Sequence, residues 1–260
     1  MAVTGNTHGF DQQDQQDQQD QQAQQAQQAP RFDIYARIHK ALRAFMADTL
    51  LRVGRTDTDD EAELRGSLSQ VRDLLSACEQ HLHKENDYVH AAMEARVPGS
   101  TTRIAHEHEA HMAEIRALLA QTDRVAATVP AARANAIREL YRQLSLFVAE
   151  NYEHMHFEET RHNAVLWASH TDAELLDVEN RIVASLPQET VGVIARWMLP
   201  NVTPAERALM LAGIRDHAPA EAFTGLLDVC RTLLPMPDWM KLTRALGLPA
   251  GPTQAIWAAG

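Results

Sequence analysis

The sequence predicts an all-α protein: an up-down four-helix bundle, preceded by a disordered N-terminal tail and followed by a helical C-terminal extension. Three observations carry this. Apolar residues recur at helical spacing from residue 32 onward, glycine (11) and proline (11) are sparse for 260 residues, and aromatics make up only 5%. That composition suits long helices on short connectors and does not suit a sandwich or barrel.

The tail comes first. Residues 11–28 read DQQ four times and then AQQ twice, a polar tract with nothing to bury, so residues 1–30 are expected to be disordered. The bundle is assigned to residues 31–170. Its first segment, about 33–53, lines up Tyr35, Ile38, Leu42, Phe45 and Met46 on one stripe, and Gly54–Asp60 ends it with turn-forming and acidic residues. A second, about 61–96, carries Leu64, Leu68, Val71, Leu75, Cys78, Leu82, Val89 and Met93 until Pro98-Gly99-Ser100 stops it. The third, about 101–121, shows Ile104, Met112, Ile115 and Leu118, and Pro130 marks the next connection. The fourth, about 131–169, carries Ile137, Leu140, Leu144, Val148, Met155 and Leu166. Residues 171–260 form the extension. Thr171…Glu174 and Thr203…Glu206 have the capping-box form, and Pro187, Pro200, Pro219, Pro235 and Pro237 partition the region into about five helices. It is either packed on the bundle or a second small domain.

Charge excludes some functions. The chain carries 24 Lys+Arg against 35 Asp+Glu, and because residues 1–30 hold four aspartates and no Lys or Arg, −7 of the net −11 remains on residues 31–260. An acidic body argues against nucleic acid and against an anionic membrane surface. No apolar run reaches the length of a membrane span, and the N-terminus lacks the basic and apolar regions of a secretory signal. Two cysteines, Cys78 and Cys230, make no disulfide framework, which fits a cytoplasmic protein. Cys78 reads as a small core residue.

Histidine is the anomaly: 13 in all, ten of them between His81 and His170. Convergence decides their meaning, and an α-helix turns about 100° per residue. On the second helix Glu85 lies roughly 50° and His81 roughly 90° from the centre of the apolar stripe, on the same side. On the fourth, Glu158 and His154 repeat this at roughly 45° and 85°. His83, Asp87 and His156 point to water; Glu159 falls on the opposite flank, and phase leaves His90 undecided. On the third helix His108 and His111 share the face of Ile104 and Ile115, while His106 is opposite. On the first, His39 is on the inward half. A lone inward histidine is ordinarily a satisfied core residue, and His162, with no counterpart on the second helix, is read that way. Five inward histidines with two phase-matched glutamates ask for more: buried carboxylates need cations, and metal ions supply both the charge and the imidazole partners. His with carboxylate suits iron, with manganese or zinc as the alternatives, and two glutamates able to bridge suggest two ions.

The order His39 … His81-x-x-x-Glu85 … His108 … His154-x-x-x-Glu158 resembles the hemerythrin-like, or HHE cation-binding, family. The strings IHKALR, HLHKEN, EHEAHMAEI and HMHFEE agree, and the resemblance covers residues 32–169. It implies two non-haem iron ions, oxo- or hydroxo-bridged, in a bundle that binds dioxygen or a related diatomic or peroxide ligand. His39, His81, His108 or His111, and His154 are then terminal ligands, with Glu85 and Glu158 bridging. Oxygen-carrying members have His-x-x-x-His on the third helix and His-x-x-x-x-Asp on the fourth. This chain has His108-x-x-His111 and His154-x-x-x-Glu158, which leaves iron handling, oxygen or redox sensing, and peroxide or nitric-oxide chemistry open in place of simple carriage. The ferritin-like alternative needs Glu-x-x-His on two helices. Both instances here, Glu153…His156 and Glu159…His162, lie on the fourth, so it is rejected. A regulatory protein whose C-terminal helices contact a protein partner, or self-associate, is the rival expectation.

Overall fold

A computed structural model describes residues 31–217 and 219–248, and the tail assigned to residues 1–30 lies outside the described residues. The first helix begins where Asp33 Oδ1 accepts the backbone N–H groups of Tyr35 and Ala36, both at 3.0 Å. This helix, α1 (Ala36–Gly54), leads to α2 (Glu61–Lys84), whose first turn is capped by Asp60 at 2.8 and 3.0 Å. The chain then widens into a π-helical turn, π1 (Glu85–His90), before continuing as α3 (Ala91–Arg96). Gly99, at φ +84°, turns the chain into α4 (Thr102–Ala127), with Glu94 accepting the N–H groups of Gly99 and Thr101. Pro130 opens α5 (Pro130–Phe157) at the position where a missing N–H costs nothing. A second π turn, π2 (Glu158–His162), and α6 (Asn163–Ser169) complete the fourth segment.

These segments close a ring in which α1 packs on α2 and α5, and α4 packs on the same two. Between them lie Leu42, Phe45, Met46, Leu68, Leu75, Ile115, Leu118, Leu140 and Leu144, the residues of the sequence stripes. Cys78 is part of this core, and burial pushes its thiol up to about 12.

Five further helices follow: α7 (Asp172–Ala184), α8 (Gln188–Asn201), α9 (Pro204–His217), α10 (Ala220–Leu233) and α11 (Met236–Ala245). Both capping boxes form, at Thr171/Glu174 and at Thr203/Glu206. Pro200 does not divide two helices; it sits inside the last turn of α8, where the helix ends within a residue and the lost N–H bond has little left to disrupt. The C-terminal helices have their own apolar cluster, including Leu199, Leu211, Phe223, Cys230 and Leu242. Trp197 of α8 stacks on Phe45 of α1 (4.3 Å between rings, 13° apart), and Lys40 of α1 binds both Glu206 oxygens of α9 at 2.6 and 2.8 Å. No strand occurs among the described residues, and no helix there is long and apolar enough to cross a membrane.

Candidate metal centre

Six of the seven residues singled out by helical phase meet at one level of the ring. His39 comes from α1, His81 from the last turn of α2, Glu85 from the start of π1, His108 from α4, His154 from the end of α5 and Glu158 from the start of π2. They form two groups, His39–His81–Glu85–Glu158 and Glu85–His108–His154–Glu158, within each of which one ligand atom per residue lies within 4.8 Å of the others. The glutamates belong to both.

Their oxygens are divided between the groups. Glu85 turns Oε1 to Nε2 of His81 (3.1 Å) and of His39 (3.7 Å), and Oε2 to Nε2 of His108 (3.5 Å). Glu158 turns Oε2 to Nε2 of His39 (3.5 Å), and Oε1 to Nε2 of His154 (3.3 Å) and of His108 (3.6 Å). None of these four oxygens has a hydrogen bond among the described residues, although Glu158 is 0% and Glu85 only 3% exposed. Nε2 of His39 and of His81 are likewise without one. So many unsatisfied buried polar atoms facing one another need a common partner.

The far side of the rings shows what partner fits. Nδ1 of His39 lies 3.1 Å from Glu159, Nδ1 of His108 lies 2.7 Å from Asn86 Oδ1, and Nδ1 of His154 lies 3.0 Å from Glu107. Each of these oxygens is an acceptor, so each Nδ1 carries the proton and each Nε2 presents a lone pair inward. Two such lone pairs, of His108 and His154, face each other at 3.1 Å. Only a proton or a metal cation between them relieves that approach, and outer carboxylates that fix the ring tautomer are the usual support of a metal-binding imidazole. The donors, imidazole nitrogen and carboxylate oxygen, suit iron, manganese or zinc. The residues fit a pair of such ions.

The carboxylates and imidazoles of the centre favour each other's charged forms. Burial would pull His39 down, but Glu159, Glu85 and Glu158 outweigh it and hold it at about 9. His154 is held at about 9 in the same way, by Glu158, Glu85 and Glu107 against burial. Burial and Glu85 push Glu158 up, yet His108 and His154 hold it at about 2. Burial also raises Glu85, and His81, His39 and His108 bring it well below the carboxylate range. His39 and His154 thus favour a second proton, on the side that faces the carboxylates, and metal binding must displace it.

The structure does not bring His111 to this group. Three residues beyond His108, it lies nearly one turn further along α4 and to one side, against the His154 ring (4.8 Å) and Phe147, in a separate group with Glu114 and Glu150. Conversely, two residues not chosen are drawn in. His90 stacks on His108 (4.9 Å, 10°), and His162 lies edge-on to His90. His90, His162 and Glu158 form a third group of ligand atoms. His162, which the sequence reads as a satisfied core residue, bonds Tyr35 Oη at 3.3 Å through Nδ1, but its Nε2 and that of His90 have no hydrogen-bond partner among the described residues. Both residues stand at the ends of the π turns, and a histidine four or five residues after an inward glutamate is the signal that would have found them. Outward His83, His106 and His156 are exposed, as phase required. Glu159 is no part of the inner group; it braces His39 from behind while paired to Arg43 at 2.5 and 3.0 Å.

No curated protein and no solved structure matches the chain. A family model described as the hemerythrin HHE cation binding domain matches residues 32–163, half of its length.

Proposed function

Since the chain belongs to the hemerythrin HHE cation-binding family, we propose that its ring of helices is an up-down four-helix bundle of the hemerythrin type that holds two non-haem iron ions and binds a small ligand there. The observation that carries this is the division of Glu85 and Glu158: each offers one oxygen toward the His39/His81 pair and the other toward the His108/His154 pair. Two ions would then each receive two imidazole nitrogens and one oxygen from each bridging carboxylate. Iron so held supplies one-electron redox chemistry and open coordination positions for dioxygen, peroxide or nitric oxide. Four protein donors per ion leave room for such a ligand.

The remaining work belongs to the chain. Glu159, Asn86 and Glu107 fix the tautomers of three imidazoles, which turns their Nε2 atoms toward the centre. The Tyr35 hydroxyl, raised well above its ordinary range by burial and then by Glu158 and Glu85, stays protonated beside His162. It can present a hydrogen bond where a ligand would sit between His90, His162 and Glu158. The apolar layer of Leu75, Cys78, Ile115 and Leu144 limits water from one side. Free, buried Cys78 and Cys230 are in keeping with a cytoplasmic setting.

A regulatory reading has one observation in its favour. Lys40, next to His39, is tied to Glu206 of the C-terminal helices, so a change at the metal has a direct route to that surface. The experiment that tests the principal reading is metal analysis with an optical spectrum on protein prepared with iron in excess. About two iron atoms per chain with ligand-to-iron charge-transfer absorption are expected. A trace of tightly held metal after reconstitution would overturn it.

A further inference from the structure

Outside the centre, a cavity of about 240 Å³ opens between α4 and α5, lined by Glu107, His111, Glu114, Glu150, Glu153 and His154 together with Arg103. Its charge is one-sided, because Arg103 is already engaged by Glu107 at 2.8 Å. At its side His111, Glu114 and Glu150 place one ligand atom each within 4.8 Å of one another. An acidic cluster alone would mean little. Here, however, His111 is 6% exposed with an Nδ1 that has no hydrogen-bond partner among the described residues, and the buried Glu114 Oε2 accepts no hydrogen bond from them either. Glu114 is pushed up to about 7, by burial, then by a side-chain hydrogen bond with Glu150 and by that carboxylate's charge, so the two acids meet closely enough to favour a proton or another cation between them. An imidazole with two carboxylates, open to water on one side, suits a divalent transition-metal ion whose remaining positions are hydrated.

We propose that His111, Glu114 and Glu150 form a second, peripheral divalent-cation site from which the buried centre is filled. The position supports the second half of this statement. His154 borders the cavity through the face that Glu107 holds, while its Nε2 faces Glu158 inside, and its ring centroid is 4.8 Å from that of His111. A cation captured at the rim is therefore one imidazole away from the inner ligands, and the acidic lining raises its local concentration there. The filling role rests on the two-metal reading of the centre; the peripheral site does not.

The test uses the full-length, metal-free chain and Mn²⁺, whose free aqueous form is followed by electron paramagnetic resonance. Wild type is expected to take up two ions tightly and a third more weakly. The double variant Glu114→Gln/Glu150→Gln, which keeps shape and polarity, should lose only the weak one, and Glu85→Gln/Glu158→Gln should keep it. Circular dichroism establishes that each variant is folded. If wild type binds one ion and Glu114→Gln/Glu150→Gln none, the peripheral site stands and the two-metal reading falls. Identical titrations of wild type and Glu114→Gln/Glu150→Gln overturn the peripheral site. For the filling role, Fe²⁺ uptake by Glu114→Gln/Glu150→Gln should slow by about tenfold or more at low salt, with the final iron content unchanged. An unchanged rate overturns that role.

Discussion

Removing the Glu159 carboxylate should weaken one metal position and leave the other alone. Glu159 supplies no ligand atom to either inner group; it accepts from His39 Nδ1 at 3.1 Å, on the far side of that ring, and is itself clamped by Arg43. In Glu159→Ala, the His39 ring, 0% exposed, loses the acceptor that fixes its tautomer. Loss of such an outer partner costs roughly 10–100-fold in metal affinity, or about 1.4–2.8 kcal/mol. The same carboxylate also favours a proton on His39, which stands at about 9. At neutral pH the metal must displace that proton, so wild-type affinity at the His39/His81 position should rise with pH and level off near 9. In the variant the proton is held less firmly, the rise is shallower, and the deficit is largest at alkaline pH.

Zn²⁺ competition against a chromophoric chelator, run at several pH values, resolves the two stepwise constants. Glu159→Ala should lower one of them and keep both ions. Glu107→Ala, behind His154, should lower the other. Glu158→Ala, which removes an oxygen from both positions, should lower both. If Glu159→Ala emptied both positions while Glu158→Ala kept them, the inner carboxylate of the fourth helix would be Glu159 and the division of oxygens argued above would be wrong.

Exposed His83, His106 and His156 should be replaceable by Ala with metal content unchanged and stability within about 0.5 kcal/mol, checked by metal analysis and urea unfolding; a loss of metal in any of them would refute the helical phases. Arg207, 2% exposed, donates to the carbonyls of Leu199 (2.6 Å) and Val202 (3.0 Å), so Arg207→Met should destabilise the C-terminal helices by about 2 kcal/mol or more without altering metal content, as read by thermal unfolding. Glu206 is held at about 2 by Lys40 and the Thr203 cap against burial, so its folded value lies below its unfolded one. The stabilisation is complete above the unfolded value near 4.5 and is lost as pH falls toward 2, and Glu206→Gln should flatten the stability profile in that window.

The sequence made the centre legible because a uniform helical turn describes most of it. His39, His81, Glu85, His108, His154 and Glu158 all precede or begin the π turns, so phases counted at about 100° per residue place them correctly. Beyond Glu85 the count leaves His90 undecided. An i→i+5 turn lags behind the α-helical phase, and it swings His90 from the flank to a place over His108, five residues after Glu85. His162, inward by phase already, stands at the end of the matching turn after Glu158. Nothing in the composition of Glu85–His90 or Glu158–His162 marks a widened turn. What favours one is the site itself, since π turns gather at functional positions where they aim side chains that a regular helix would spread around its surface. The position of His111, offered as an alternative to His108, has a different origin. Phase fixes a direction around the helix but not a height along it, and the three-residue step from His108 to His111 raises the latter by about 4.5 Å. That rise is enough to take it past the inner carboxylates and to the mouth of the cavity, beside Glu114 and Glu150. Helical phase thus leaves two things unread, the local change of pitch that brings His90 over His108 and the height along a regular helix that separates His111 from the inner ligands.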